Sequence, residues 1–324
     1  MEGSVKLMRK YMLKMKGKTG LDVITLRYSF HGRTHMTTTL TGQSKYKLGM
    51  ATVTAIPGVK VVPAPYCYRC PFKMTYPECD VYCATYLEDV IKFETSKDIG
   101  AFLAEPVLGE GGIIVPPKEY FEKAVKIIRD YDGLFIADEV QTGFARTGKI
   151  FAVEKYNVEP DIIAMAKGLT SGLPLGAIGA KAEIADAFEP GNHSSTWGPN
   201  AVSCAAATAV IDVILEENIC EKVEKLGRYF MDGLKELAKK HALIGEVRGL
   251  GLMIGVELVR DREKKTPAIE EALKIREKMR KKGFLIGAGG AYGCTLRIEP
   301  PLLITKEQID KALEAFNSVF KELA

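Results

Sequence analysis

No apolar run in this chain reaches the roughly 18 residues that a helical membrane span needs, so no membrane partner is expected. Neither sign of charge dominates: 45 Lys and Arg stand against 41 Asp and Glu, a net +4, which argues against nucleic acid as the main partner. Charges interrupt the first ten residues throughout, so no h-region of a signal peptide is read there. Internal repeats and low-complexity linkers are missing too. The cysteines number seven, an odd count in a long chain without a secretion signal, and a reduced, cytoplasmic setting fits them best. What is present, 324 residues of which 47% are apolar and 27% charged, is the composition of a folded protein of roughly two domains.

The segment that opens the chain places Val5, Met8, Met12 and Met15 on one stripe of a helix, with Lys6, Arg9, Lys10 and Lys14 around it. A strand is expected over 21–26, followed by the polar run Ser29-Phe30-His31-Gly32-Arg33-Thr34. Residues 57–80 are rich in Pro and Cys and read as an irregular excursion. Three apolar strands then appear at 100–104, 133–137 and 161–166. A helix over 118–130 buries Tyr120, Ala124, Ile127 and Ile128, and a shorter helical piece lies around 149–156. Strand, helix and strand in this rhythm predict a mainly parallel sheet. Beyond it come long helices at 202–216 and 219–241, two short strands within 245–259, and a charged helix near 267–282. Thr305 with Gln308 forms a capping box that opens the last helix. The expected organisation is α/β: a large domain over 1–220 and a small α+β domain over 221–324.

Each apolar strand runs into a chemically capable side chain: Glu105, then Asp138 and Glu139, then Lys167. Ligands of open parallel sheets bind beyond the carboxyl ends of the strands, so Glu105, Asp138 and Lys167 are expected to face one crevice. Any single Lys is ordinarily a solvated surface group. Delivered by an apolar strand, Lys167 is instead expected to be a desolvated, nucleophilic amine. A carboxylate on the neighbouring strand end is what a pyridine-type cofactor needs to keep its ring nitrogen protonated.

The run Asp138-Glu139-Val140-Gln141-Thr142-Gly143-Phe144-Ala145-Arg146-Thr147-Gly148, with Ala166-Lys167-Gly168 after it, resembles the class III pyridoxal-phosphate aminotransferases. Ser29 to Thr34, Glu105 to Gly112, His193 to Asn200, Val247 to Leu252 and Leu296 to Leu302 continue the resemblance in family order. It implies the fold type I architecture of pyridoxal-phosphate-dependent transferases, pyridoxal 5'-phosphate as cofactor, and small amino acids and 2-oxo acids as substrates. By the same resemblance, Lys167 holds the cofactor covalently and moves the proton, and Asp138 partners the pyridine nitrogen. Val140 and Phe30 cover the two ring faces, Gln141 lies near the phenolic oxygen, and His31 sits beside the stacking residue. Thr196 reaches the phosphate bound by a neighbouring subunit, which implies a homodimer. Arg297 matches the arginine that holds a substrate carboxylate, and Glu110 the glutamate that neutralises it when the amine donor has none. The plain alternatives for this pair are a structural ion pair and a solvated loop carboxylate.

Met1 to Leu7 is similar to a family stretch that follows a phosphate-binding Ser-Gly-small-Glu-Ala turn. That turn and about a hundred residues before it are expected to be missing, and with them tight cofactor binding. Cys67, Cys70, Cys79 and Cys83 have spacings that could hold Zn²⁺ or an iron–sulfur cluster, but packed or free thiols are the expectation and no metal is assigned. Family members with a similar Pro-Tyr-Cys-Tyr-Arg-Cys loop include enzymes thought to racemise. Transamination is therefore expected, with racemisation on the same scaffold or an inactive remnant as the alternatives.

Overall fold

The computed structural model describes residues 1–50 and 56–323. Two compact units make up the chain. The first comprises Met1–Pro106, Pro116–Gly143 and Phe151–Asp212; the second comprises Val107–Val115, Phe144–Ile150 and Val213–Ala324.

The first unit is built on strands β1 (Asp22–Leu26), β2 (Val59–Val62), β3 (Ile99–Ala104), β4 (Leu134–Asp138), β5 (Ile162–Met165) and β6 (Ala177–Ala180). They form one six-stranded sheet in the order β2-β1-β3-β4-β5-β6. Neighbours from β2 to β5 pair parallel, and only β6 runs antiparallel, against β5. Every residue of β1, β3 and β4 is buried, as expected of central parallel strands covered on both faces.

The helix Tyr120–Asp130 returns the chain from β3 to β4. It buries Tyr120, Phe121, Ala124, Val125, Ile127 and Ile128, the face read from the spacing. Phe121 packs between Phe102 and Phe135, with ring centroids 6.4 and 5.6 Å away. The helix Glu2–Lys16 buries Val5, Met8 and Met12, but Met15 in its last turn is 58% exposed, so the expected stripe stops one turn early. Its basic face is solvated and paired, Lys10 and Lys14 with Glu189 and Lys16 with Asp132. Gly100 admits this helix: a Cβ there would lie 2.4 Å from the Gly20 carbonyl and 2.7 Å from the Met8 sulfur.

Strands β7 (Ile244–Leu250), β8 (Met253–Asp261), β9 (Thr266–Pro267), β10 (Gly287–Gly289) and β11 (Thr295–Ile298) form the sheet of the second unit. Its order is β10-β11-β8-β7, with β9 paired to β8, and all pairs are antiparallel. Helices Ile219–Lys240, Ile269–Lys281 and Lys306–Lys321 cover it around a core that includes Phe230, Ile254, Val256, Met279, Leu296 and Phe316. The last helix opens with the expected box: Gln308 N donates to Thr305 Oγ1 at 3.3 Å, and Thr305 N donates to Gln308 Oε1 at 2.9 Å. Segment 107–115 joins this unit through strands far along the chain, and Leu108 and Ile114 close it as a short bridge.

Candidate active site

The carboxyl ends of the parallel strands in the first unit carry the polar residues that the strand pattern singled out. Just past β1, Phe30 N donates to Glu105 Oε1 at 2.8 Å, which ties that turn to the end of β3. His31 N donates to Thr41 Oγ1 at 2.9 Å, and its ring Nδ1 lies 2.7 Å from Asp138 Oδ2. The two side chains are 0% and 3% exposed. Asp138 Oδ1 accepts from Val140 N at 3.1 Å. His31 Nε2 is buried without a partner among the described residues.

Asp138 ends β4 and pairs with Ala164 of β5, so Lys167 follows just beyond the neighbouring strand. Lys167 adopts a left-handed backbone, φ +49°, a conformation that costs a non-glycine residue energy and is held by its surroundings. Its amine has no hydrogen bond or ion pair among the described residues, and the residue is exposed. This corrects the expectation of a desolvated amine. The turn Lys167–Leu169 carries the side chain past the sheet edge, where nothing described covers it.

Phe30 is half-buried, with Tyr46 edge-on at 5.0 Å and the Arg33 guanidinium 5.6 Å from its centroid. Val140 and Gln141 are also half-buried. A buried carboxylate, a partly open aromatic ring and an amine without a partner are the groups that a flat heteroaromatic aldehyde with a basic ring nitrogen would use. The residues present therefore fit pyridoxal phosphate.

Glu139, next to Asp138, is buried and points away from solvent. Its Oε1 accepts from Val153 N at 2.8 Å and its Oε2 accepts from the Thr142 hydroxyl. Burial pushes its carboxyl up to about 7 against the lowering effect of these donors.

Thr196 is exposed, on a loop beside an open cleft of about 850 Å³ lined by Leu173, Pro174, His193, Ser195, Trp197 and Val202 among others.

In the second unit Arg297 of β11 pairs with Glu110 through Nη1 and Oε1. Its Nε is buried without a partner among the described residues. Beside them lies a residue that sequence reasoning passed over. Arg248 of β7 donates from Nε to Ile113 O at 2.9 Å and from Nη2 to Gly112 O at 2.7 Å, and its Nη1 is 2.7 Å from Glu257, a fully buried carboxylate. Glu246 pairs with the same guanidinium, and burial still raises its carboxyl. A charged residue in mid-strand was the available signal.

Cys67, Cys70, Cys79 and Cys83 line one small cavity of about 20 Å³ with aromatic neighbours. None of the four is in a disulfide, and burial with the nearby thiols pushes Cys83 up to about 12. Among the described residues no group of three or more His, Cys, Asp or Glu is placed to hold a metal ion.

A mainly parallel sheet with this donor set at its carboxyl edge defines a pyridoxal-phosphate-dependent enzyme of fold type I. The family model described as aminotransferase class-III matches residues 1–320, and the chain belongs to that family of transaminases. It is 39% identical over 314 residues to the leucine/methionine racemase of Thermococcus litoralis, covering 97% of this chain and 69% of that protein. It is 40% identical over 324 residues to the acetylornithine aminotransferase of Caldanaerobacter subterraneus, covering 99% of this chain and 73% of that one. Among solved structures, the PLP-bound amine transaminase of an uncultivated Pseudomonas species superposes with a TM-score of 0.92 at 31% identity, over 100% of this chain and 74% of that one. No helix among the described residues is long and apolar enough to cross a membrane.

Proposed function

We propose that this chain moves an amino group between an α- or ω-amino donor, such as an ornithine-like or 4-aminobutyrate-like compound, and a 2-oxo acid. The carrying observation is the buried His31–Asp138 pair at the end of β4, next to the strand that leads into Lys167. Bound pyridoxal phosphate supplies the electron sink for a carbanion at the substrate α-carbon. The Asp138 carboxylate keeps the pyridine nitrogen protonated, and His31 fixes which way that carboxylate faces. Phe30 and Val140 would cover the ring faces, and Gln141 would lie near the phenolic oxygen. Lys167 would hold the cofactor covalently through its amine and, once displaced by the substrate amine, would take and return the α-proton. Arg297 binds a substrate carboxylate with its fork, and Glu110 neutralises Arg297 when the donor brings no carboxylate to it.

We read the active unit as a cytoplasmic homodimer in which Thr196 donates to the phosphate held by the partner subunit. The exposure of Thr196 and of Trp197, which is 84% exposed, supports the dimer, and seven cysteines with no disulfide among them support the reducing compartment.

Borohydride treatment of the cofactor-loaded protein and peptide mapping should place the pyridoxyl group on Lys167; a label on another lysine would sink the assignment. The similarity to a leucine/methionine racemase favours one second reading, racemisation on the same residues. Incubating single enantiomers of amino acids with and without 2-oxoglutarate separates the two. Transamination consumes the amino acid only when the 2-oxo acid is present, whereas racemisation proceeds without it.

A further inference from the structure

Glu110 sits on a tight turn with its own bonds: Gly112 N and Ile113 N both donate to Gly109 O, at 3.0 and 3.2 Å. The turn holds Ile113 at φ +54° and Gly112 at φ +115°, both left-handed values. Its outer carbonyls are taken by the turn between β10 and β11 and by a side chain of β7. Ala291 N donates to Gly111 O at 2.8 Å, and the Arg248 fork takes the next two, Gly112 O and Ile113 O. Glu257, 0% exposed, and Glu246 hold that fork from the other side. Space around the turn is equally restricted: a Cβ on Gly112 would lie 2.9 Å from Thr295 Oγ1 and 3.4 Å from Arg248 Nη2. Arg297 lies two residues beyond Thr295 on β11. One guanidinium therefore fixes the height of the Glu110 turn above the strand that carries Arg297.

We propose that Arg248 is a positioning residue for substrate choice: by clasping the 109–113 turn it sets how strongly Glu110 competes with an incoming carboxylate for Arg297. This rests on the reading of Glu110 and Arg297 as the carboxylate gate. A carboxylate ligand binds only the fraction of molecules in which Glu110 has released Arg297, so its apparent affinity falls as the clasp favours the closed pair. Loosening the clasp shifts the population toward the open state, which benefits carboxylate-bearing acceptors over donors that need Arg297 neutralised.

Arg248→Lys is the informative change. A lysine keeps a positive charge for the buried Glu257 but loses the fork that reaches two carbonyls at once. Gly112→Ala disturbs the same turn from the opposite side and leaves Arg248 in place. The probe is glutarate, a dicarboxylate with no amine to react, titrated by calorimetry into the cofactor-loaded protein. Glu110→Gln is expected to tighten glutarate about tenfold, the loss of one charge-assisted competitor, and Arg297→Gln to weaken it by at least as much. Arg248→Lys and Gly112→Ala should each tighten glutarate several-fold alone and change nothing when combined with Glu110→Gln. A shift of equal size with and without Glu110, or no shift in either variant, overturns the role of Arg248 while leaving the gate intact. If Glu110→Gln and Arg297→Gln leave glutarate binding unchanged, the gate itself fails and the positioning role goes with it.

Discussion

At Glu139 burial and hydrogen bonding pull in opposite directions, and burial wins, raising its carboxyl from 4.5 to about 7. Because the folded-state value lies above the unfolded one, the native protein retains a proton that the unfolded chain has lost at intermediate pH. This group therefore favours the fold most below about pH 4.5, and its support fades as the pH rises toward 7. The expected swing is on the order of 2–4 kcal/mol. Glu139→Gln, which cannot ionise, should gain on the native protein in urea melts as the pH goes from 5 to 8. Parallel pH profiles would show that Glu139 does not carry the effect. His31 makes a different case. Replacing it by Ala leaves Asp138 Oδ2 without its buried donor, and cofactor affinity in an absorbance titration should fall by about tenfold.

Among the elements, the helix Tyr120–Asp130 owes its place to the wedge of Phe121 between Phe102 and Phe135. Phe121→Ala should cost about 3–5 kcal/mol, read as a fall in the urea midpoint without loss of far-ultraviolet helicity. Thr305→Ala removes one half of a capping box and should cost about 1 kcal/mol by the same measurement. These elements were legible in the amino-acid order because their signals are local. β3, β4 and β5 are apolar runs, the helix repeats its buried face, and Thr305 stands three residues before Gln308. β2 escaped because it is an edge strand between Pro57 and Pro63 and is only half covered, so its alternation is blurred. β6, Ala-Ile-Gly-Ala, has too little side chain to show a pattern. The same division holds at the candidate site. Asp138 and Lys167 are marked by their strands, whereas the His31–Asp138 bond joins residues 107 apart and the Arg248 clasp joins residues 135 apart. Contacts over such distances leave no periodic trace in a single sequence.

For the molecule as a whole, the proposed dimer makes a concentration-dependent prediction. Sedimentation should report a species of twice the chain mass, and Trp197→Glu should shift it toward monomer and weaken cofactor binding together. A Trp197→Glu protein that stays dimeric would place the contact elsewhere. The two units are also interleaved along the chain, since 107–115 and 144–150 belong with 213–324. Protein synthesis adds residues in order, at roughly 5–20 per second, so the Glu110 turn emerges about 7 to 27 seconds before Arg248, 135 residues after Ile113, can reach its carbonyls. During that interval the turn's left-handed residues rest on the turn's own hydrogen bonds and the Leu108–Ile114 bridge, without the clasp. The first unit's sheet has all six strands made by residue 180, while the proposed carboxylate gate waits for the last third of the chain to leave the ribosome.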